Sequence, residues 1–348
     1  MARSNSLRLS IGIIIVGMAL WYVASIADLG VMARILSQAD PWWTLACIPC
    51  VLLSHLVRAR RWQTLLQPVH PDTGLWTAFN AVMIGYAANT IIPRSGELIR
   101  PFVYSRREGI PLATSISSVI VERVLDVIAL LIGIVLVLGI EHDKVTAAIP
   151  NFSPTMLFGS LVLPLIVLLV LIGIVVFTSA GPAMIDATVR RFHARTADAM
   201  SSMLGSVRAG LSVITTPSLW FRLAIESAGV WVLYILPMWF VWLALPIRSY
   251  PAFSFVDGAI VLVVIAIGVT IAPTPGALGI YQSFAQAALM RIYGASPEEG
   301  LAFGVLAWLV NYGTALLSGG ICLVIEMRGG LSMRDMMGRG RVEPTSER

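Results

Sequence analysis

Residues 89–126 read NTIIPRSGELIRPFVYSRREGIPLATSISSVIVERVLD, and they set prolines, glycines and paired charges into a chain otherwise composed for lipid. Of the 348 residues, 57% are hydrophobic and only 12% charged, with a mean hydropathy of +0.84. An ordinary soluble domain carries about 25% charged residues. The composition therefore excludes one and predicts an all-α polytopic membrane protein. A Glu, Arg or Asp at the bilayer centre costs roughly 2.5–3.5 kcal/mol on insertion scales, so such residues face a protein interior or a watery cavity. Function is to be sought in this stretch.

Apolar runs at Leu9–Ala27, Trp42–Val57, Val119–Ile140, Leu157–Phe177, Trp220–Leu245, Phe255–Ala272 and Leu301–Ile325 are each about long enough for a helix crossing a ~30 Å core. Trp76–Ile92 and Leu278–Ile292 are shorter. The expectation is one integral membrane domain over residues 1–327, with about six to eight transmembrane helices and two re-entrant hairpins. The N-terminus also has the basic flank, apolar core and small residues of a secretory signal, but a retained first helix suits the later spans better. Cys47 and Cys50 have CxxC spacing inside TLACIPCVLLS. Without a second ligand pair they read as packing residues, and so does Cys322.

Arg and Lys near span ends mark the cytoplasmic side. Inside fall Arg3, Arg8, Arg58, Arg60, Arg61, Arg94 to Arg107, Arg190, Arg191, Arg195, Arg208 and the tail from Arg328. Outside lie Arg34, Lys144, Arg248 and Arg291. Both termini are then cytoplasmic, in a bacterial or archaeal plasma membrane. Trp76–Ile92 sits between two cytoplasmic arginine-rich loops, so a full crossing would break the rule. Residues 76–105 are expected to form a hairpin, with Pro93 ending its first helix and Gly96 permitting the reversal. Broken backbone at membrane depth must line a cavity or be buried in protein.

Residues 255–292 repeat the argument around PTPGALGIYQ, where Pro273, Pro275, Gly276 and Gly279 interrupt the apolar run. A hairpin and a pair of full spans have the same end points here. Ile91 to Leu98 and Ile271 to Leu278 share I-x-P-x-x-G-x-L, and breaks at corresponding places in two halves point to an inverted repeat. Residues 183–215 carry one apolar helical face opposite Arg190, Arg191 and Arg195. That pattern suits a cytoplasmic interfacial helix or one packed on the bundle. Residues 328–348 read as a basic, disordered tail.

Glu122, Arg123 and Asp126 gather on one side of a helix, either as a structural ion network or as part of a site. In the functional reading, Arg94, Arg100 and Arg123 present planar donor forks to a phosphate while Glu97 and Glu122 orient them. Asn89, Ser95, Thr274, Tyr281 and Gln282 are candidate partners for glycerol or sugar hydroxyls. No Walker loop, HExxH, GxSxG or metal-ligand cluster occurs, no cofactor is implied, and nothing points to nucleic acid.

Asn89, Pro93, Gly96, Glu97 and Arg100, then Glu122-Arg123-x-x-Asp126, then PTPGALGIYQ, resemble the transmembrane region of lysylphosphatidylglycerol synthases, from about Leu9 to Ile325. The resemblance implies many helices with re-entrant segments and a role in moving lipid across the bilayer. Two-part members add a soluble aminoacyl-transferase domain, for which this sequence has no room, so lysyl transfer is not expected. Gln282 stands where many relatives carry Glu, which puts any proton coupling or cation recognition at that position in doubt. The leading expectation is translocation of an anionic phospholipid or polyprenyl-phosphate head group through an arginine-lined cavity between the turns. An enzyme or enzyme subunit of glycoconjugate synthesis and a non-transporting scaffold for lipid-modifying or glycosyltransferase enzymes are the alternatives. A carboxylate crowded by arginines makes a poor general base, which favours binding over catalysis.

Overall fold

The computed structural model describes residues 17, 27–68, 70–141, 155, 158–211, 217–247, 249–250, 252–271 and 274–329. Most of the expected first span, Pro273 and the tail beyond Gly329 lie outside them. Among the described residues the regular elements are all helical: α1 Leu29–Ser37, α2 Pro41–Leu66, α3 Leu75–Ile91, α4 Gly96–Glu108, α5 Leu112–Ile140, α6 Leu163–Phe177, α7 Ala180–Met184, α8 Ala194–Leu211, α9 Pro217–Ala244, α10 Phe255–Ile271, α11 Ile280–Tyr293, α12 Pro297–Trp308 and α13 Thr314–Arg328. A helix satisfies its own backbone, which lipid cannot do. Four rods, Pro41–Leu66, Leu112–Ile140, Ser218–Ala244 and Pro297–Arg328, are long and apolar enough to cross a membrane; Phe255–Ile271 is apolar but shorter. Ile132, Leu136 and Ile140 on α5 and Leu317 and Ile321 on α13 face outward uncovered, as lipid-facing side chains do.

The first break follows from its residues. Ile92, preceding Pro93, is held extended at φ −126°, ψ 117°, because the proline ring disfavours the helical region before it. α3 therefore stops at Ile91. The sequence assigned the reversal to Gly96, but the left-handed residue is Arg94, at φ 63°. Gly96 serves a different need: it begins α4 pressed against the Gly85 carbonyl of α3, where a Cβ would overlap. Its N–H donates to Asn89 Oδ1 at 2.7 Å, closing the hairpin from inside. In the second break, α10 stops at Ile271, a 3-10 turn spans Pro275–Ala277, and Gly276 and Gly279 adopt φ 55° and 81°.

The two hairpins correspond leg by leg, with 17 and 13 residues in the first and 17 and 14 in the second. Ile91 and Ile271, the first residues of the shared motif, each end the first leg. A long helix precedes each hairpin, α2 with 26 residues and α9 with 28. A long rod follows each, α5 with 29 residues and the joined α12–α13 with 32. α2 and α9 lie antiparallel: Asp40 N–H reaches the Ala244 carbonyl at 2.8 Å, Arg61 reaches Ser227 at 3.3 Å, and Thr64 reaches Glu226 at 3.1 Å. Corresponding helices of opposite direction are what an inverted repeat demands.

Of the expected helix over residues 183–215, positions 212–215 lie outside the described residues, and the rest is not one helix. The segment breaks at 190–193, after a π-helical turn at Ile185–Val189, and Arg190 bridges the break to Asp198 at 3.0 Å. Leu204 and Val207 of α8 pack with Leu65, Val121 and Leu223, and Ser117 Oγ donates to the Met203 carbonyl at 3.2 Å. That part of its apolar face is covered by the bundle.

Candidate functional site

Two helices carry charges on faces that meet. On α2, Arg58 and Arg61 are three apart, and on α5, Glu122 and Asp126 are four apart, spacings that keep each pair on one side. Glu122 is fully buried and accepts from Arg58 through a short contact, from Arg100 Nη2 at 2.5 Å, from Arg61 Nη2 at 3.3 Å and from Arg123 Nη2 at 3.4 Å. Asp126 accepts from Arg61 at 2.6 Å, Arg58 at 3.0 Å and Arg123 at 3.3 Å. Aromatic faces complete the shell. Arg100 lies 3.9 Å over the Trp62 ring, and Arg58 sits 5.8 Å from the Tyr86 centroid and 5.7 Å from that of Tyr234, favourable positions for a cation. Arg58 Nε also donates to the Tyr234 hydroxyl at 3.1 Å.

Four guanidiniums face two carboxylates, which leaves two positive charges uncompensated within the cluster. The Nε atoms of Arg61, Arg100 and Arg123 are buried and have no hydrogen-bond partner among the described residues. Unpaired buried charge is costly, and within the cluster Glu122 and Asp126 are shared among all four arginines. Arg123 is its open edge, with a side chain 43% exposed. Beside it a cavity of about 40 Å3 is lined by Tyr86, Asn89, Gly96, Glu97, Arg100 and Arg123, among others. That is room for about three waters.

Of the residues singled out from sequence, Arg100, Glu122, Arg123 and Asp126 come together, and Asn89, Gly96 and Glu97 border the same small cavity. Arg94 and Glu97 are exposed, and among the described residues no ion pair joins either to the cluster, so Glu97 does not orient the arginines as expected. Pro93 forms part of the turn. The second break differs more. Gly279 N–H donates to Gln282 Oε1 at 2.8 Å, Tyr281 donates to Met238 Sδ at 3.7 Å, and Thr274 donates to the Leu278 carbonyl at 3.0 Å. These polar groups have partners inside the protein. Pro275 and Gly276 bring the second turn onto the first: a Cβ on Gly276 would lie 3.1 Å from the Thr90 carbonyl, and Trp308 Nε1 donates to the Gly276 carbonyl at 2.7 Å. The expected cavity between the turns is replaced there by contact, and the arginines gather among α2, α4 and α5.

Arg58 and Arg61 were missed as site residues. The charge rule placed them in a cytoplasmic flank, yet both lie within α2 and are buried. The available signal was the string Arg58-Ala-Arg-Arg61-Trp62, whose spacing puts Arg58, Arg61 and Trp62 on one helical face. A further arginine, Arg107, ties the first hairpin to the last helix: it pairs with Glu326 and donates to the Glu326 and Gly329 carbonyls at 2.9 and 2.7 Å.

Helical rods, two broken hairpins and a buried arginine cluster define an integral membrane protein built to hold charge within its bundle. Residues 9–319 match the family described as the lysylphosphatidylglycerol synthase TM region, and the chain belongs to that family. It is similar to glycosyltransferase AglD of Haloferax volcanii, 21% identical over 329 residues, covering 88% of this chain and 53% of that protein. A UPF0104 membrane protein of Methanocaldococcus jannaschii is 26% identical over 125 residues, 34% of this chain and 37% of the relative. The chain thus spans about half the length, or less, of the curated relatives it matches. No solved structure matches it significantly. Family and relatives place it among membrane proteins of lipid or glycoconjugate processes.

Proposed function

We propose that this chain translocates an anionic membrane lipid, a phospholipid or a polyprenyl-phosphate-linked sugar, whose phosphate docks on Arg58, Arg61, Arg100 and Arg123. The observation that carries the reading is the surplus of two guanidiniums over carboxylates in a buried cluster. Planar forks suit phosphate oxygens in a way point charges do not. Arg123 meets the head group first, because its side chain is the least covered of the four. The tails stay in the membrane while the two halves of the repeat rock against each other, exposing the site to either side. Basic Arg106 and Arg107 at the end of α4 support a cytoplasmic side for that end under the positive-inside rule.

Reconstitution in liposomes containing fluorescent anionic and zwitterionic phospholipids or polyprenyl-phosphate sugars tests the reading. Protein-dependent appearance of an anionic lipid in the opposite leaflet, reduced at least tenfold in Arg123→Gln, is expected. No translocation of any anionic lipid, or full activity in that variant, overturns it. The AglD likeness favours a second reading, a membrane component working beside a glycosyltransferase. Incubation with lipid-linked sugars and analysis of products separates the two, since a translocase alone makes no new glycolipid.

A further inference from the structure

An apolar groove of about 610 Å3 lies between α5, α9 and α10. Its walls run from Leu125 to Ile140, from Trp220 to Ile235 and from Phe255 to Val263, and Ser227 supplies the lone hydroxyl among its lining residues. One end abuts the charged cluster, because Leu125 adjoins Asp126 and Ser227 accepts from Arg61 at 3.3 Å. From there the wall on α5 continues for 15 residues, ~22 Å at the helical rise. A single leaflet of the hydrocarbon core is only ~15 Å deep.

We infer that this groove seats the hydrocarbon chain of the lipid whose phosphate occupies the arginine cluster, and that it selects a chain longer than one leaflet, as in a polyprenyl phosphate. The inference rests on the phosphate reading of the cluster and adds the tail. A chain of leaflet length leaves the far third of the groove, around Val137, Ile140 and Val256, without contacts from the same molecule. A longer chain fills it. Selection then comes from packing and not from transfer out of water, since the surrounding lipid is as apolar as the groove.

Binding of two polyprenyl phosphates to the purified full chain in nanodiscs, followed by native mass spectrometry, tests this. One chain is about a leaflet long and the other about twice that. The longer is expected to bind ~5-fold tighter through its added packing contacts. Val137→Trp and Val256→Trp, which block the far third from opposite walls, each reduce the ratio to about one and act mainly on the longer chain. Thermal unfolding checks that each variant is folded, and either variant alone suffices. Equal binding of both lengths to the unmutated protein, or a preference that survives both blocks, overturns the inference. So does a cross-link from Leu136→Cys to residues 9–26 that excludes lipid, because the chain itself then fills the groove. Failure of the head-group reading gives another pattern: neither length responds to Arg123→Gln, whatever their ratio.

Discussion

Glu122 holds the cluster together, and its neighbours give it two separable roles. Buried and reached by four arginines, it cannot lose its charge without leaving guanidiniums unpaired in the interior. Removing one partner of a buried ion pair costs about 3–5 kcal/mol, so Glu122→Gln is expected to lower the thermal unfolding temperature sharply in detergent. Arg123→Gln is its counterpart. With 43% of the Arg123 side chain uncovered by protein and its pairs at 3.3 and 3.4 Å, its loss is expected to cost less stability than that of Glu122, yet anionic-lipid transport falls. If Arg123→Gln unfolds the protein as Glu122→Gln does, Arg123 is a brace and not a docking group. Four members of this cluster were legible because charge inside an apolar run is costly and has to be accounted for. Arg58 and Arg61 were not, because an arginine near a span end can snorkel to the surface or turn inward, and only the packing of α2 against α5 and α9 decides which.

At the scale of elements, the first hairpin depends on two residues whose parts the sequence exchanged. Arg94 carries the left-handed turn, a conformation costing an L-residue roughly 1–2 kcal/mol. Arg94→Gly is therefore expected to raise thermal stability by about 1 kcal/mol, within the gain for relieving such strain, while lipid transport continues. Gly96→Ala acts in the other direction. Its Cβ would overlap the Gly85 carbonyl, so α3 and α4 must part, at about 1–3 kcal/mol for overpacking. Loss of the position-96 N–H bond to Asn89 Oδ1 should appear as faster exchange of that amide in the variant than in the unmutated protein. Proline and glycine made both helix breaks readable, since one disallows helix before it and the other allows close approach. The break at 190–193 was unreadable for the same reason: ArgArgPheHis contains neither.

For the whole molecule, the decisive relation is between halves. The corresponding long helices α2 and α9 run antiparallel, and the tips of the two hairpins touch at Thr90 and Gly276. A shared motif of four residues could only suggest this relation; leg lengths and helix direction give it physical form. If rocking of one half against the other carries the lipid, the tip contact must open and close in each cycle. A Cβ on Gly276, held at φ 55°, would lie 3.6 Å from Thr90 Cα and 3.2 Å from Thr90 Cγ2, which brings side chains at the two positions within reach of each other. Thr90→Cys combined with Gly276→Cys, with Cys47, Cys50 and Cys322 replaced by alanine, should therefore cross-link on oxidation. Translocation should stop in the oxidised protein and return with reductant, while lipid phosphate still binds, because the arginine cluster lies on other helices. Full-rate translocation by the cross-linked protein would mean that the tips stay closed, and the lipid would then have to pass along α5 without relative motion of the halves at this contact.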